Sequence, residues 1–316
     1  MNKKLFSINL NFDSLGEAYG WPRDFLDDAA FTRGVDRIMK IGEKFDIPIT
    51  FFLVGKDLEN KKNYEIIRRI SDNDNIEIAN HSYNHLFNFG SRSEQVIHDE
   101  IYKSHDLIFK CTGKEAKGFI SPTWSVSKNV IKNLIKLNYT YDTSFFKSIY
   151  LYPAVLKIAL SHIAKGKLKK AFQILNRRDY LIPFKYDYEP FFINSKMKKV
   201  SNIEKESILE MPMPIISNLN PPIWHTAGYV FGWEYVQRKL KKILEKNKPF
   251  FYLIHPADFL DQNDLDDNYT LALERMDTNY KSKIENLENM LKFIVSQGYK
   301  GVKLIDIAKL YQENEN

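Results

Sequence analysis

The 316-residue chain is 44% hydrophobic, 14% aromatic and 27% charged, a composition that indicates a folded globular protein and excludes a disordered chain. Its one cysteine, Cys111, excludes an internal disulfide framework and suits a reducing compartment. The first residues run into strand-like sequence without a signal-peptide pattern, and no apolar run approaches the ~18 residues that cross a bilayer. We therefore expect a cytoplasmic protein.

The net charge of +6 is unevenly distributed. Residues 147–199 contain twelve Lys and Arg against three acidic residues, so the rest of the chain is slightly acidic. Such a basic segment indicates either an anionic partner or only a solvated face.

Strand-like and helix-like patterns alternate over the first 145 residues. Leu5–Phe12 alternates apolar and polar residues, which predicts a half-buried strand. Further strands are predicted at 47–55, 76–79, 118–124 and 139–142, and helices at 31–45, 63–71, 93–111 and 128–137. This alternation is typical of an α/β fold with a parallel sheet.

The alternation is interrupted after Ser144. Residues 149–183 have helical spacing with an apolar stripe and many lysines, and residues 186–199 are aromatic and irregular. Strands at 208–214, 250–254 and 301–304 and helices at 232–246 and 279–297 then follow. We predict a single domain over residues 1–316 with an insertion at approximately 146–206.

Polar side chains follow three of the predicted strands. Asp13 follows the first strand, His81 and His85 follow the third, and His255 follows 250–254. The carboxyl ends of parallel strands meet at one end of an α/β sheet, so we expect these residues to lie close together. If a helix follows the third strand, the two histidines share one face and both rings can bind one ion.

In this order the motifs resemble those of the polysaccharide deacetylases of carbohydrate esterase family 4, which carry a NodB-homology domain. Five segments carry the resemblance: Asn11-Phe12-Asp13-Ser14, His81-Ser82-x-x-His85, Gly118-Phe119-Ile120-Ser121-Pro122-Thr123-Trp124, Tyr141-Asp142-Thr143-Ser144 and Ile254-His255-Pro256. The resemblance covers roughly residues 5–145 and 205–310. It implies a distorted, incomplete (β/α)7 barrel with a helical, aromatic and basic insertion.

The resemblance also implies a divalent metal ion bound by Asp13, His81 and His85. Zn²⁺ is the ion expected first, with other divalent ions as alternatives. Such an ion lowers the pKa of a bound water toward ~7 and polarises an amide carbonyl. His255 would give a proton to the leaving amine, and Asp142 would orient His255.

The first motif has one clear carboxylate where the family has two, a base and a metal ligand. If the pair aligns as Asp13-Ser14, Asp13 is the base; if it aligns as Asn11-x-Asp13, Asp13 is the ligand and Asn11 replaces the base. Ile120 stands where the family has an arginine that pairs with the base. The joint loss of arginine and base slightly favours the second alignment.

For the substrate, the resemblance implies an acetamido sugar in surface polysaccharide or envelope glycan synthesis, on a nucleotide-linked or lipid-linked precursor. Trp124, Pro122 and His225 are predicted to line the sugar pocket, with a core position as the alternative for Trp124. The rival functions are a catalytically degenerate glycan-binding barrel and a deacylase of a formamido sugar or a non-sugar amide.

The insertion suggests a second partner. Its apolar stripe and the cations Lys165, Lys167, Lys169, Lys170, Arg177 and Arg178 resemble an interfacial helix on an anionic membrane. The alternative is a helical flap that packs this stripe on the barrel. Nucleic acid is not expected, because no binding module accompanies the charge.

Overall fold

Seven parallel strands form the centre of the molecule. The computed structural model describes residues 3–15, 28–164, 166–177, 179–201, 206–265 and 276–313. The strands are β1 Leu5–Phe12, β2 Ile49–Leu53, β3 Ile76–Asn80, β4 Gly118–Phe119, β5 Tyr141–Asp142, β6 Phe191–Asn194, β7 Lys199–Val200, β8 Ser207–Glu210, β9 Phe250–Ile254 and β10 Lys300–Gly301. The parallel order is β9-β1-β2-β3-β4-β5-β8, and β10 pairs with the start of β1.

This sheet curves into an open barrel, as predicted. Within the described residues no ladder joins β8 to β9. The chain that follows β8 covers the gap, and the His225 N–H donates to Leu253 O at 2.9 Å. The incomplete barrel of seven strands is therefore confirmed.

Ten α-helices are found in the described residues. They are α1 Val35–Phe45, α2 Lys61–Ser71, α3 Glu94–Thr112, α4 Lys128–Lys136, α5 Leu151–Ala164, α6 Leu168–Leu175, α7 Thr226–Phe231, α8 Trp233–Leu244, α9 Tyr280–Ser296 and α10 Leu304–Glu313. None of these helices is long and apolar enough to span a bilayer.

The period-two geometry of the strands divides the core into two layers. Even-numbered residues of β1, such as Ile8 and Leu10, pack in the larger apolar cluster with the surrounding helices. Residues from the opposite faces of the strands, such as Phe52 and Leu253, form a second cluster inside the barrel. Odd-numbered positions at the ends of β1, β3 and β9 therefore lead into the barrel mouth.

Helix α10 closes the other end of the barrel. Leu304 N donates to Thr50 Oγ1 at 3.1 Å, and Ile305 N donates to Glu77 Oε2 at 3.0 Å. Tyr141 Oη also donates to Glu77, at 2.7 Å. Burial raises the pKa of Glu77, and these donors oppose that shift. The helix N-terminus and the carboxylate thus satisfy each other inside the barrel.

Two expectations about the later chain are wrong. Residues 186–199 are not irregular throughout, because β6 pairs antiparallel with both β7 and β8 and extends the sheet at its edge. The strand expected at 301–304 ends at Gly301, and Leu304 begins α10. In both places short apolar segments gain their structure from pairing or packing with residues distant in sequence.

Candidate metal centre

Asp13, His81 and His85 converge at the carboxyl ends of β1 and β3. Asp13 Oδ1 lies 3.5 Å from the Nε2 atoms of both His81 and His85. One ligand atom from each of the three residues lies within 4.8 Å of the others. Both imidazoles are buried and the carboxylate is partly exposed, so the group opens toward solvent on the Asp13 side.

The histidine pair lies on a loop, and the helix considered for these residues is absent from the described chain. Ser82 and His85 adopt left-handed backbone conformations, with φ of 64° and 54°. Asn80 Oδ1 accepts from Ser82 N at 2.8 Å, and Ser82 Oγ accepts from His85 N at 3.2 Å. Side-chain hydrogen bonds to the backbone thus bring the two rings together where a helix was expected.

Helix α3 holds this loop from outside. Glu100 accepts from the N–H of Asn84 at 2.7 Å and from its side-chain amide at 2.6 Å. On the other side, the Gly55 N–H donates to Ser82 O at 2.9 Å. A Cβ on Gly55 would lie 2.7 Å from Ser104 Cα of α3. Glycine at position 55 is therefore required for α3 to approach the loop.

The orientation of His81 suits metal binding. Its Nδ1 lies 2.6 Å from the carbonyl oxygen of Ile120, so Nδ1 carries the proton and Nε2 presents its lone pair to Asp13. Burial lowers the pKa of His81 and favours the neutral ring. Burial raises the pKa of Asp13, whereas the His85 and His81 rings, when protonated, outweigh burial and lower it below its usual range.

These donors fit a divalent cation. An ion bonded tetrahedrally at ~2.1 Å to each ligand would set the ligand atoms about 3.4 Å apart, close to the two 3.5 Å separations. Asp13 Oδ1 is buried and makes no ordinary hydrogen bond within the described residues. Two neutral imidazoles and one carboxylate are a donor set that leaves a coordination position open.

Asn11 lies two residues before Asp13 on the same face of β1. Its side chain is 3% exposed, and Oδ1 accepts no hydrogen bond in the part of the chain that is described. Because Asp13 already faces both histidines, the geometry favours the alignment in which Asp13 is a ligand and Asn11 stands in the position of the base.

His255 is held at the end of β9 by Asp258. Asp258 Oδ2 accepts from the His255 N–H at 2.8 Å and lies 3.9 Å from Nδ1. Asp142, expected to orient His255, instead accepts from Ser144 Oγ at 2.5 Å and lies opposite Glu210 on β8. Asp258 is thus a carboxylate beside the His255 ring. A sequence search could have found Asp258 from its position three residues after the histidine.

Aromatic rings form a wall beside the centre. The Trp124 ring lies 4.9 Å from Phe146 and 5.2 Å from Trp224, and Trp224 lies 5.9 Å from the His255 ring. Pro122 is buried and begins the short 3-10 turn that carries Trp124. Trp224 was not predicted from the sequence to line the pocket, although it directly precedes His225, which was.

His225 does not lie on this wall. It is fully buried, its Nδ1 is 3.1 Å from Tyr252 Oη, and its ring lies 4.7 Å from Trp233. A histidine enclosed by these aromatic rings has no contact surface for a sugar. The predicted substrate-binding role of His225 is therefore not supported by its position.

The fold and the site define an open α/β barrel with an Asp-His-His centre at the carboxyl ends of its strands. The family model for polysaccharide deacetylase matches residues 8–141, which include all three candidate ligands. The peptidoglycan deacetylase of Helicobacter pylori is 31% identical over 111 residues, 35% of this chain and 36% of that protein. The uncharacterized protein YlxY of Bacillus subtilis is 30% identical over 114 residues, 34% of each chain.

The matched region thus spans about a third of the length of these relatives. Among solved structures, a Mycobacterium smegmatis protein described as a polysaccharide deacetylase superposes with a TM-score of 0.62 at 14% identity, covering 99% of this chain and 92% of that one. Puue allantoinase superposes with a TM-score of 0.58 at 14% identity, covering 98% and 90%. At these identities the two structures support the fold alone.

Residues 8–141 thus match the polysaccharide deacetylase family, and the chain shares the fold of a solved structure described as a polysaccharide deacetylase. The resemblance drawn from the five ordered motifs is thereby confirmed.

Proposed function

We propose that the protein is a metal-dependent N-deacetylase that hydrolyses the acetamido group of a sugar. The observation that carries this proposal is the convergence of Asp13, His81 and His85 at the barrel mouth, inside the segment matched by the family. The family's enzymes hydrolyse amide bonds, and a donor set of this kind suits Zn²⁺. A bound divalent ion would supply Lewis acidity to the substrate carbonyl and to water.

The chain's own residues account for binding and proton transfer. Asp13, His81 and His85 would hold the ion, and His81 keeps its tautomer through Ile120 O. His255, positioned by Asp258, gives a proton to the leaving amine. The neutral amide of Asn11 cannot accept a proton, so we assign the acceptance of the water proton to His255 as well. The Trp124 and Trp224 rings offer the apolar faces on which sugars stack.

The proposed substrate is an acetamido sugar of surface polysaccharide or envelope glycan synthesis. The matched Helicobacter pylori protein is named a peptidoglycan deacetylase, which supports a glycan substrate. The proposal includes both nucleotide-linked and lipid-linked precursors of that sugar.

The experiment combines metal analysis with acetate release. Purified protein is analysed for bound metal and incubated with a panel of acetamido sugars, with formamido analogues included to test the acyl group. We expect about one divalent ion per chain and acetate release that a chelator abolishes. His85→Gln should lose both, whereas His98→Gln, on the surface of α3, should lose neither. Bound metal without hydrolysis of any acylated sugar would contradict the proposal.

Asn11 favours a second candidate function, glycan binding without turnover. An amide in place of the base leaves the centre able to hold a ligand while proton transfer is slow. In this case calorimetric titration would detect saturable binding of an acetamido sugar to the metal-loaded protein, and no acetate would form over hours.

A further inference from the structure

Helices α5 and α6 form a hairpin with an apolar outer face. In α5, Lys157 is the one Lys, Arg, Asp or Glu, and most of the other residues are apolar. Three outward-facing side chains carry the surface: Leu160 is 54% exposed, Leu168 is 56% exposed and Phe172 is 72% exposed. Leu156, Ile163 and Leu175 are also exposed on these helices. Six exposed large apolar side chains on one helical hairpin are typical of an interaction site.

The opposite face of the hairpin is already packed on the barrel. Val155 and Ala159 of α5 and Ala171 and Ile174 of α6 are buried in the inner apolar cluster. The apolar outer face is therefore a second surface, and the alternative in which the whole stripe packs on the barrel is excluded for these exposed residues.

The hairpin is tied to the metal centre. The Phe87 ring lies 5.8 Å from His85 and 5.6 Å from His162 of α5. After α6, Arg177 donates to Thr123 O at 2.9 Å, next to Trp124. The outer face is thus carried by elements that contact the candidate metal centre and the aromatic wall.

The charge of the hairpin determines which partner fits. Residues 151–178 contain seven Lys and Arg and no acidic residue. Arg177 is buried against Asp179 and does not face solvent, whereas Lys169 is exposed beside Leu168. Lys165 and Arg178 lie outside the described residues, and the side chain of Lys170 is likewise not described. A surface that is both apolar and basic repels a second copy of itself and is attracted to an anionic one.

We propose that the outer face of the α5–α6 hairpin docks on an anionic lipid bilayer. Exposed leucines and a phenylalanine enter the headgroup boundary, and the lysines contact lipid phosphates. Docking places the metal centre beside the bilayer, which, resting on the proposed deacetylase function, suits a sugar carried by a membrane lipid. The docking itself does not depend on catalysis.

The test is co-sedimentation with vesicles of phosphatidylcholine containing about one third phosphatidylglycerol, compared with phosphatidylcholine alone. We expect binding to the anionic vesicles that weakens with added salt. The triple variant Leu160→Ser, Leu168→Ser, Phe172→Ser should bind at least about tenfold more weakly. Lys169→Gln should bind about fivefold more weakly to anionic vesicles only.

Matched controls lie on other helices. Tyr102→Ser with Phe109→Ser removes two rings of α3 that are 53% and 48% exposed, and Lys40→Gln removes an exposed charge of α1. These variants should bind vesicles as the unmodified protein does. Because all substituted side chains are exposed, circular dichroism should show every variant folded.

Absence of binding to anionic vesicles, or equal loss in the hairpin and control variants, would overturn the proposal. A dimer in light scattering that becomes a monomer in the triple variant would also overturn it, since the face would then be a contact between copies. Acetate release from a water-soluble acetamido sugar is measured in parallel, so failure of docking and failure of the deacetylase function are distinguished.

Discussion

Asp142 and Glu210 lie opposite each other on neighbouring parallel strands, β5 and β8, and both carboxyl groups are fully buried. Ser144 Oγ donates to Asp142, and Phe145 N donates to Glu210 Oε1 at 3.1 Å. Burial raises the pKa of Asp142 to about 6, and burial together with the neighbouring Asp142 carboxyl raises that of Glu210 well above its usual value. The pair therefore retains a proton at pH values where an exposed carboxyl is ionised.

The pH dependence of the free energy of unfolding should reveal this buried carboxyl pair. Asp142 has a folded pKa of about 6, above its ordinary value of 3.8, so the folded state binds more protons between these values. Its contribution is present below pH 3.8 and is lost as pH rises through about 6. In Asp142→Asn this loss is absent. The free energy of unfolding of the variant relative to the unmodified protein should rise by on the order of 3 kcal/mol between pH 4 and 7.

Urea unfolding at several pH values measures this difference, in which the contributions of groups that do not interact with Asp142 cancel. A difference that stays constant with pH would contradict the assignment of the shared proton to Asp142 and Glu210.

Asn11 provides a direct test of proton handling at the centre. Asn11→Asp restores a carboxylate two residues before Asp13 on the same strand face, where it can accept a proton from water. We expect kcat for acetate release to rise about 10²-fold or more, with bound metal unchanged. Asn9→Asp is the matched control, because Asn9 lies on the same face one strand repeat deeper and already accepts from Ser7 Oγ at 2.9 Å. If both changes raised kcat equally, the gain would not depend on a carboxylate at position 11.

Substitutions can distinguish whether Asp258 or Asp142 is the carboxylate that orients His255. Asp258→Asn keeps an acceptor for the His255 N–H but removes the negative charge near Nδ1. We expect kcat to fall about 10- to 100-fold with little change in KM, because orientation and charge support proton transfer. Asp142→Asn should change kcat much less. The reverse order would restore the orienting role to Asp142.

The close packing of Gly55 against Ser104 should be needed for full metal affinity. Gly55→Ala sets a methyl group against Ser104 Cα, so α3 or the histidine loop must move. We expect a loss of about 1–3 kcal/mol in stability and weaker metal binding, measured by unfolding and by metal titration. Gly113→Ala is the control: Gly113 has φ of 69° with no neighbour near its Cβ, so it should lose about 1 kcal/mol and keep its metal affinity.

Trp224 should bind substrate. Its ring lies between Trp124 and His255, at 5.2 Å and 5.9 Å. Trp224→Ala removes a stacking face without touching the three candidate ligands, so we expect KM to rise about tenfold or more while bound metal is retained. Trp224→Phe should recover much of the affinity. Unchanged KM in the alanine variant would place the sugar elsewhere.

Strand periodicity and the positions of polar residues after strands are local signals, so the sequence was sufficient for the parallel α/β fold and for the grouping of Asp13, His81 and His85. The barrel and the metal-binding role of these residues came from the resemblance of the five motifs to a known family. It was not sufficient for the backbone of the histidine loop, where Asn80 and Ser82 bond the backbone in place of a helix. The partner of His255 and the enclosure of His225 depend on which neighbouring strands meet. These contacts join residues that are distant in sequence, so the spacing of residues along the chain does not predict them.

The first strand has a further consequence for how the protein forms. β1 lies between β2 and β9. The side chains of Thr50 on β2 and Glu77 on β3 accept hydrogen bonds from backbone amides of α10. Strands at the start of the chain therefore depend on contacts with segments 228 to 254 residues later in the sequence, and such distant pairings are slow to form. On the ribosome the nascent barrel exposes its interior until residues 250–313 emerge, so we expect chaperone dependence and cooperative, late acquisition of protease resistance.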